Sequence, residues 1–257
     1  MKSALSEVLR GLAALISFLT IFPTRVHSIE FAAEYFFLIP IVGSIEGLIA
    51  GVILLVGLPA ILKAAIATCL LFIITGFNHI DGFADFVDVI ISRKRGRDAL
   101  KILKEAHRGT AAIIATVLLV IIVFSSIICL GKQSFSSVLL VMVLSAESMY
   151  VLAVLSNEPD YPGLGKLFIQ KSKNATKLML NFSTTLLLLL TICVLFSHSV
   201  IDIILALLMV ILCIVLSFSK ANAVLGYVTG DVMGFCFELS KALSLLSIAV
   251  MKSIIII

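Results

Sequence analysis

The chain has 257 residues, of which 61% are hydrophobic and 13% charged, and it contains no tryptophan. A soluble domain carries about 25% charged residues, so with a mean hydropathy of +1.23 the composition excludes that class and points to an all-α, polytopic integral membrane protein. The net charge of +4 is unevenly placed, the lipid bilayer is the expected partner, no nucleic-acid partner is expected, and a homo-oligomer is compatible with the sequence.

Segment 1–21 carries Glu7 and Arg10 and has no small-residue cleavage site. It reads as a retained helix able to lie at the interface rather than a signal peptide. Apolar runs follow near 36–57, 59–77, 110–130, 135–155, 178–197, 200–219 and 241–257. Most approach the ~20 residues needed to cross a bilayer, so roughly seven transmembrane helices are expected in one domain, 1–257. The last run is short and contains Lys252. Cys69, Cys129, Cys193, Cys213 and Cys236 form no Cys-x-x-Cys pair and read as small apolar packing residues.

In the first apolar run, Gly43, Gly47 and Gly51 recur every four residues, the spacing that lets membrane helices pack closely. Packing accounts for the glycines but not for Glu46 between them. An intramembrane glutamate is a candidate functional group; it could complete a metal shell, pair with a lysine or stay protonated.

The second run ends in His79-Ile80-Asp81-Gly82-Phe83-Ala84-Asp85-Phe86-Val87-Asp88. On a helix, carboxylates at i, i+4 and i+7 share one face. Like charges so placed repel unless a cation lies between them. Asp81, Asp85 and Asp88 are therefore candidate ligands for Mg²⁺ or Mn²⁺, and magnesium in such a setting also holds phosphate. The competing reading is a solvated helix end. Gly82 and Ala84 are small enough to admit a substrate or a neighbouring helix. His79 could hydrogen-bond a carboxylate or a phosphate, or simply face water.

Arg93, Lys94, Arg95, Arg97, Lys101, Lys104 and Arg108 then crowd one loop, opposed by Asp98 and Glu105. The positive-inside rule makes that loop cytoplasmic. Counting spans outward from it puts Arg25, the loop with Lys166, Lys171, Lys173 and Lys177, and the stretch from Lys220 through Glu238 on the same side. The loops around 57–59, 131–133 and 197–199 fall outside and are short. Chemistry gathered on one membrane face suits an enzyme better than a secondary transporter, the reading that broken helices would favour. Within the basic segment, Ala99, Ile102, Leu103 and Ala106 recur at helical spacing, so it could rest on anionic lipid. Lys104, His107 and Arg108, next to Gly109 and the following span, are the better candidates for phosphate contact.

Prolines and glycines in 157–165 mark a loop, and Gly163-Leu164-Gly165-Lys166 could cradle phosphate, though it is not a Walker A sequence. Thr229-Gly230-Asp231 supplies a further polar spot, where Asp231 could serve as metal ligand, base or helix N-cap. Asp202 reads as a capping or interfacial residue on the opposite side.

At this point the chain resembles the cobalamin synthases, the adenosylcobinamide-GDP ribazoletransferases of vitamin B12 assembly. The likeness begins at Ser17-Phe18-Leu19-Thr20-Ile21-Phe22-Pro23 and continues through Pro40 and the Gly43/Gly47 helix. It centres on Thr75-Gly76-Phe77-Asn78-His79-Ile80-Asp81-Gly82-Phe83-Ala84-Asp85-Phe86-Val87-Asp88, similar to the family's T-G-x-x-H-x-D-G-x-x-D-x-x-D signature. Gly163-Leu164-Gly165 with Phe168, and Thr229-Gly230-Asp231 with Gly234, add to it. The chain departs from the family at Val89, where glycine is usual, at Leu103-Lys104-Glu105-Ala106-His107, where Met-Lys-Asp-Ser-Arg is common, and at Glu46, where an apolar residue is usual. The resemblance implies a Mg²⁺-dependent transferase of the cell membrane that joins adenosylcobinamide-GDP to α-ribazole or its 5′-phosphate and releases GMP. Set beside the reading of the residues, it leaves Asp88 and Asp231 as the candidate bases, Asp81, Asp85 and Asp88 as the candidate metal ligands, with Glu46 added by its place in the membrane rather than by the resemblance, and His79, Lys104, His107, Arg108, Gly163, Gly165, Lys166 and Thr229 as the candidate substrate contacts. The CDP-alcohol phosphotransferases use similar chemistry, but their D-x-x-D-G-x-x-A-R signature does not fit: no arginine follows Ala84.

Overall fold

The computed structural model describes residues 4–105, 107–159, 163–196 and 200–256, and among these it contains helices and no strand. An amphipathic helix α1 (Ala4–Leu19) buries Ala14, Leu15 and Leu19. It packs on the short α2 (Ile29–Glu34), capped by the Ser28 hydroxyl, which accepts from the Phe31 N–H. A 3₁₀ turn at Phe36–Leu38 leads into α3 (Ile39–Gly51), then come α4 (Ala60–Ile73), α5 (Asn78–Ser92) and α6 (Gly96–Leu103). Next are α7 (Thr110–Leu130), α8 (Ser134–Leu155), α9 (Leu164–Ser172), α10 (Ala175–Phe196), α11 (Val200–Val224) and α12 (Gly230–Ile256).

The interior is built around α8 and α12. α12 packs on α5, α7, α8 and α11, and α8 takes α3 on another face. Lipid tails are as apolar as leucine, so helices in a bilayer associate by close packing and polar contacts rather than by the hydrophobic effect. A Cβ on Gly43 would lie 2.6 Å from both Ala146 Cβ and the Met142 carbonyl oxygen, and one on Gly47 would lie 3.1 Å from Leu139 Cα. The glycine stripe of α3 is thus the surface that lets it lie against α8. Polar groups tie α10 to the same helix: Glu147 accepts hydrogen bonds from Asn181 and Thr185, each at 3.0 Å. The outer faces of α10 and α11 leave Met179, Phe182, Val194 and Val200 exposed, as suits a lipid-facing surface.

Among the described residues, five segments are long and apolar enough to cross a membrane, or six when the bent α4–α5 pair is counted as one span. The expected set of roughly seven spans is corrected in two places. The 110–130 and 135–155 runs are two helices as expected, α7 and α8, joined by the turn at Gly131–Gln133. The helix of the 59–77 run is shorter than expected: α4 stops after 14 residues, and α5, which begins beyond the run at Asn78, leaves at 80° to it. The 241–257 run is the rear of α12, which begins at Gly230. Glu238 is therefore no loop residue but a fully buried one in mid-helix. The expected outer loop 197–199 and the loop residues 160–162 lie outside the described residues, as does Ala106.

Candidate active site

α5 starts where it does because the chain breaks at Gly76 and Phe77, both left-handed at φ +59° and +61°. Glycine adopts that geometry freely, whereas a phenylalanine there is uncommon and costs energy. The turn ends the apolar helix and aims α5 across the end of α12. The two helices meet backbone to backbone. A Cβ on Gly82 would lie 2.9 Å from Asp231 Cα, and one on Gly234 would lie 2.9 Å from the His79 carbonyl oxygen. Each helix gives up a side chain where the other crosses, and this sets Asp231 against the aspartate row.

The row faces residues 108 and 109. Arg108 spans two carboxylates, at 2.6 Å from Asp81 Oδ1 and 2.5 Å from Asp85 Oδ1. Asp88 Oδ2 accepts a hydrogen bond from the Gly109 N–H at 2.8 Å, and a Cβ on Gly109 would lie 2.5 Å from Asp88 Oδ1. Asp85 is nearly enclosed and Asp81 is open to solvent. Among the described residues no three His, Cys, Asp or Glu side chains converge into a metal cage; the carboxylates converge on a guanidinium instead. The donor set nonetheless suits a hard cation, being carboxylate oxygens on one helical face already gathered around a positive charge. Lys104 and His107 lie on the exposed part of the same loop. The apolar side of α6 turns inward, with Ala99 buried and Leu100, Ile102 and Leu103 against the core.

Across from the row, α12 is capped by Thr229, whose hydroxyl accepts from the Val232 N–H at 3.3 Å. The cap is therefore Thr229, not Asp231, and Asp231 is left facing the site with Thr229 Oγ1 3.4 Å from its Oδ2. Gly163 is the first flanking residue of α9, and Gly165 brings that helix against α12: its Cβ would lie 3.3 Å from the Gly230 nitrogen. Lys166 follows, partly exposed. Lys171 and Lys177 of the same basic stretch are instead paired with Glu34 on α2. Burial pushes the Glu34 carboxyl up, but the hydrogen bonds and charges of Lys171 and Lys177 outweigh it and hold its pKa below the ordinary value.

A cavity of about 350 Å³ opens beside these groups, lined by Asn78, His79, Asp81 and Asp231 on one side and by Phe18, Phe36, Met149, Phe168 and Met233 among its apolar walls. A second hollow of about 300 Å³ shares Asp81 and adds Arg108, Phe77 and Ile113. His79 is buried, its ring 4.4 Å from that of Phe237. Glu46 is buried too, but the charges that face it are those of Lys241 and Glu238 rather than the aspartates. Asp202 pairs at 2.9 Å with Lys252, near the far ends of α11 and α12.

Sequence reasoning thus located the aspartates, Arg108, Asp231 and the glycines, which the fold brings together. It missed the aromatic walls and the Glu238–Lys241 pair. The walls come from three distant segments, and their only signal was that Phe18 and Phe168 fall inside the stretches of family likeness.

No solved structure matches the chain. A ribazoletransferase-named protein, the adenosylcobinamide-GDP ribazoletransferase of Pyrobaculum calidifontis, is 30% identical over 230 residues, covering 90% of this chain and 94% of that protein. The protein of the same name from Desulfitobacterium hafniense is 31% identical over 233 residues, covering 87% and 89%. One from Clostridium perfringens strain SM101 is 28% identical over 194 residues, covering 75% and 76%. The family model for cobalamin-5-phosphate synthase matches residues 11–249, and the chain belongs to that family.

Proposed function

We propose that this membrane protein is an adenosylcobinamide-GDP ribazoletransferase, joining adenosylcobinamide-GDP to α-ribazole or its 5′-phosphate and releasing GMP late in cobalamin synthesis. The observation that carries the reading is the meeting of the aspartate row, Arg108 and Asp231 at one point between two cavities. A ribose hydroxyl of ribazole attacks the phosphorus on the cobinamide side. The new O–P bond forms as the bond to the GMP oxygen breaks, and the hydroxyl proton passes to a carboxylate. Asp231 is the better base: it lines the larger cavity, whereas Asp88 holds the Gly109 N–H. Arg108 is placed to stabilise charge on the transferring phosphoryl group. Asp81, Asp85 and Asp88 would hold Mg²⁺, which supplies charge neutralisation and activates oxygen in such displacements. Glu46 stands apart from that set, given its neighbours.

The test is product analysis of membranes given adenosylcobinamide-GDP, α-ribazole and Mg²⁺. GMP and cobalamin should appear together and stop with EDTA; GMP without cobalamin, or neither, refutes the reading. A Gly82→Ala variant should lose most activity while remaining in the membrane, because its Cβ meets Asp231 backbone that cannot yield. Gly57→Ala, with nothing within 4 Å of its Cβ, should behave as wild type. We further place the protein in the cell membrane with the 92–108 loop in the cytoplasm, on its basic excess. In a cysteine-free version, a cysteine at Ser92 should react with an impermeant reagent only once the cytoplasmic side is opened; labelling in intact cells would reverse the topology.

A further inference from the structure

We propose that the 350 Å³ cavity is the recognition site for the bicyclic benzimidazole base of ribazole, with the ribose directed toward Asp81 and Asp231. This rests on the ribazoletransferase reading and adds which substrate occupies which space. Size restricts the occupant first. Small-molecule sites span about 300–1,000 Å³, and a cavity at the low end holds a bicyclic base with part of its sugar but not a corrin ring.

The walls then distinguish the two bases present in the substrates. Phe168 stacks on Phe18 at 4.9 Å and meets Phe36 edge-on at 4.9 Å, so three segments supply one braced aromatic wall. Met149, Met233 and Leu19 close the remaining apolar side. None of these side chains offers a strong hydrogen-bond donor or acceptor. Guanine presents donors and acceptors around its edges, and burying them unpaired is costly. A methylated benzimidazole presents carbon along its outer edge and only ring nitrogen toward the sugar, so apolar walls suit it. The polar lining, Asn78, His79, Asp81 and Asp231, lies together at the side where the ribose would stand.

The second hollow completes the assignment. Asp81 belongs to both spaces, and the second contains Arg108. The anionic diphosphate suits the side with the arginine, and the neutral base suits the side without it. The attacked phosphorus then lies at the partition, within reach of the aspartate row.

The experiment is steady-state kinetics in membranes with α-ribazole and adenosylcobinamide-GDP varied separately. Phe18→Ala removes part of the aromatic wall. Leu164→Trp, at an exposed position on the cavity rim, fills the space without disturbing the core, so the test stands even if Phe18→Ala folds poorly. Loss of an aromatic stacking partner should raise the KM for α-ribazole about tenfold to a hundredfold, while the KM for adenosylcobinamide-GDP stays as in wild type. A rise confined to adenosylcobinamide-GDP would put guanine in the cavity and overturn the proposal. So would an equal rise in both, or an unmoved ribazole KM. Wild-type membranes that release no GMP would instead refute the ribazoletransferase reading itself, so the two failures are separable.

Discussion

Asp85→Asn should lower turnover by about a hundredfold to a thousandfold, the loss usual when one electrostatic stabiliser of a developing charge is removed. The side chain is nearly enclosed, and its Oδ1 lies 2.5 Å from Arg108. Asparagine keeps the shape and one acceptor oxygen but removes the negative charge. Among the described residues, Arg108 then keeps an ion pair with Asp81, which is open to water. The arginine proposed to meet the diphosphate and the carboxylates proposed to hold Mg²⁺ are then weakened together. The substitution replaces a buried charge by a neutral isostere, so the protein should still insert and accumulate. GMP release per folded protein, measured at limiting and at saturating Mg²⁺, is the readout. Full activity at limiting Mg²⁺ would show that the row is not a metal-binding and charge-organising unit.

What could be read from the sequence divides along physical lines. Membrane class follows from bulk composition, and the aspartate face from a period that any helix imposes. The close approach at Gly82 was foreseeable because Gly82 and Ala84, beside the first two carboxylates, are small. Three features were hidden. The break at Gly76–Phe77 lies in an otherwise apolar run, and a left-handed phenylalanine has no signature, so the run read as one straight span. The start of α12 was missed because Gly230, Asp231 and Gly234 dilute the hydropathy of its first turns. Glu238 read as part of a loop, with the span starting only at Lys241, because charges are costly in lipid. Three residues apart on one helix, they instead offset each other inside the protein.

That pair supports the other large effect. Lys241→Met should destabilise the protein by about 3–5 kcal/mol, the cost of leaving a buried charge without its partner. Lys241 Nζ lies 2.7 Å from Glu238 Oε2, and both side chains are wholly buried. The approach falls outside hydrogen-bonding geometry, so charge attraction and the aromatic faces hold the ammonium: it sits 4.2 Å over the Phe72 ring and 5.3 Å from that of Phe237. Phe72 lies just before the turn that launches α5, and Phe237 carries His79. The lysine thus braces α12 against α4 directly beneath the aspartate helix, and Glu46 on α3 faces the same charge. With methionine at 241, Glu238 and Glu46 lose the cation that offsets them. The variant in detergent should melt well below wild type. Adding Glu238→Met and Glu46→Gln should restore most of the loss, since apolar replacement of a buried pair is often neutral or stabilising. A Lys241→Met protein that melts with wild type would show the ammonium to be dispensable. Glu46→Gln alone separates two roles for that glutamate. If it serves Lys241, the Mg²⁺ concentration for half-maximal activity stays fixed while the melting temperature moves; a raised Mg²⁺ requirement at unchanged melting temperature would return Glu46 to the metal set.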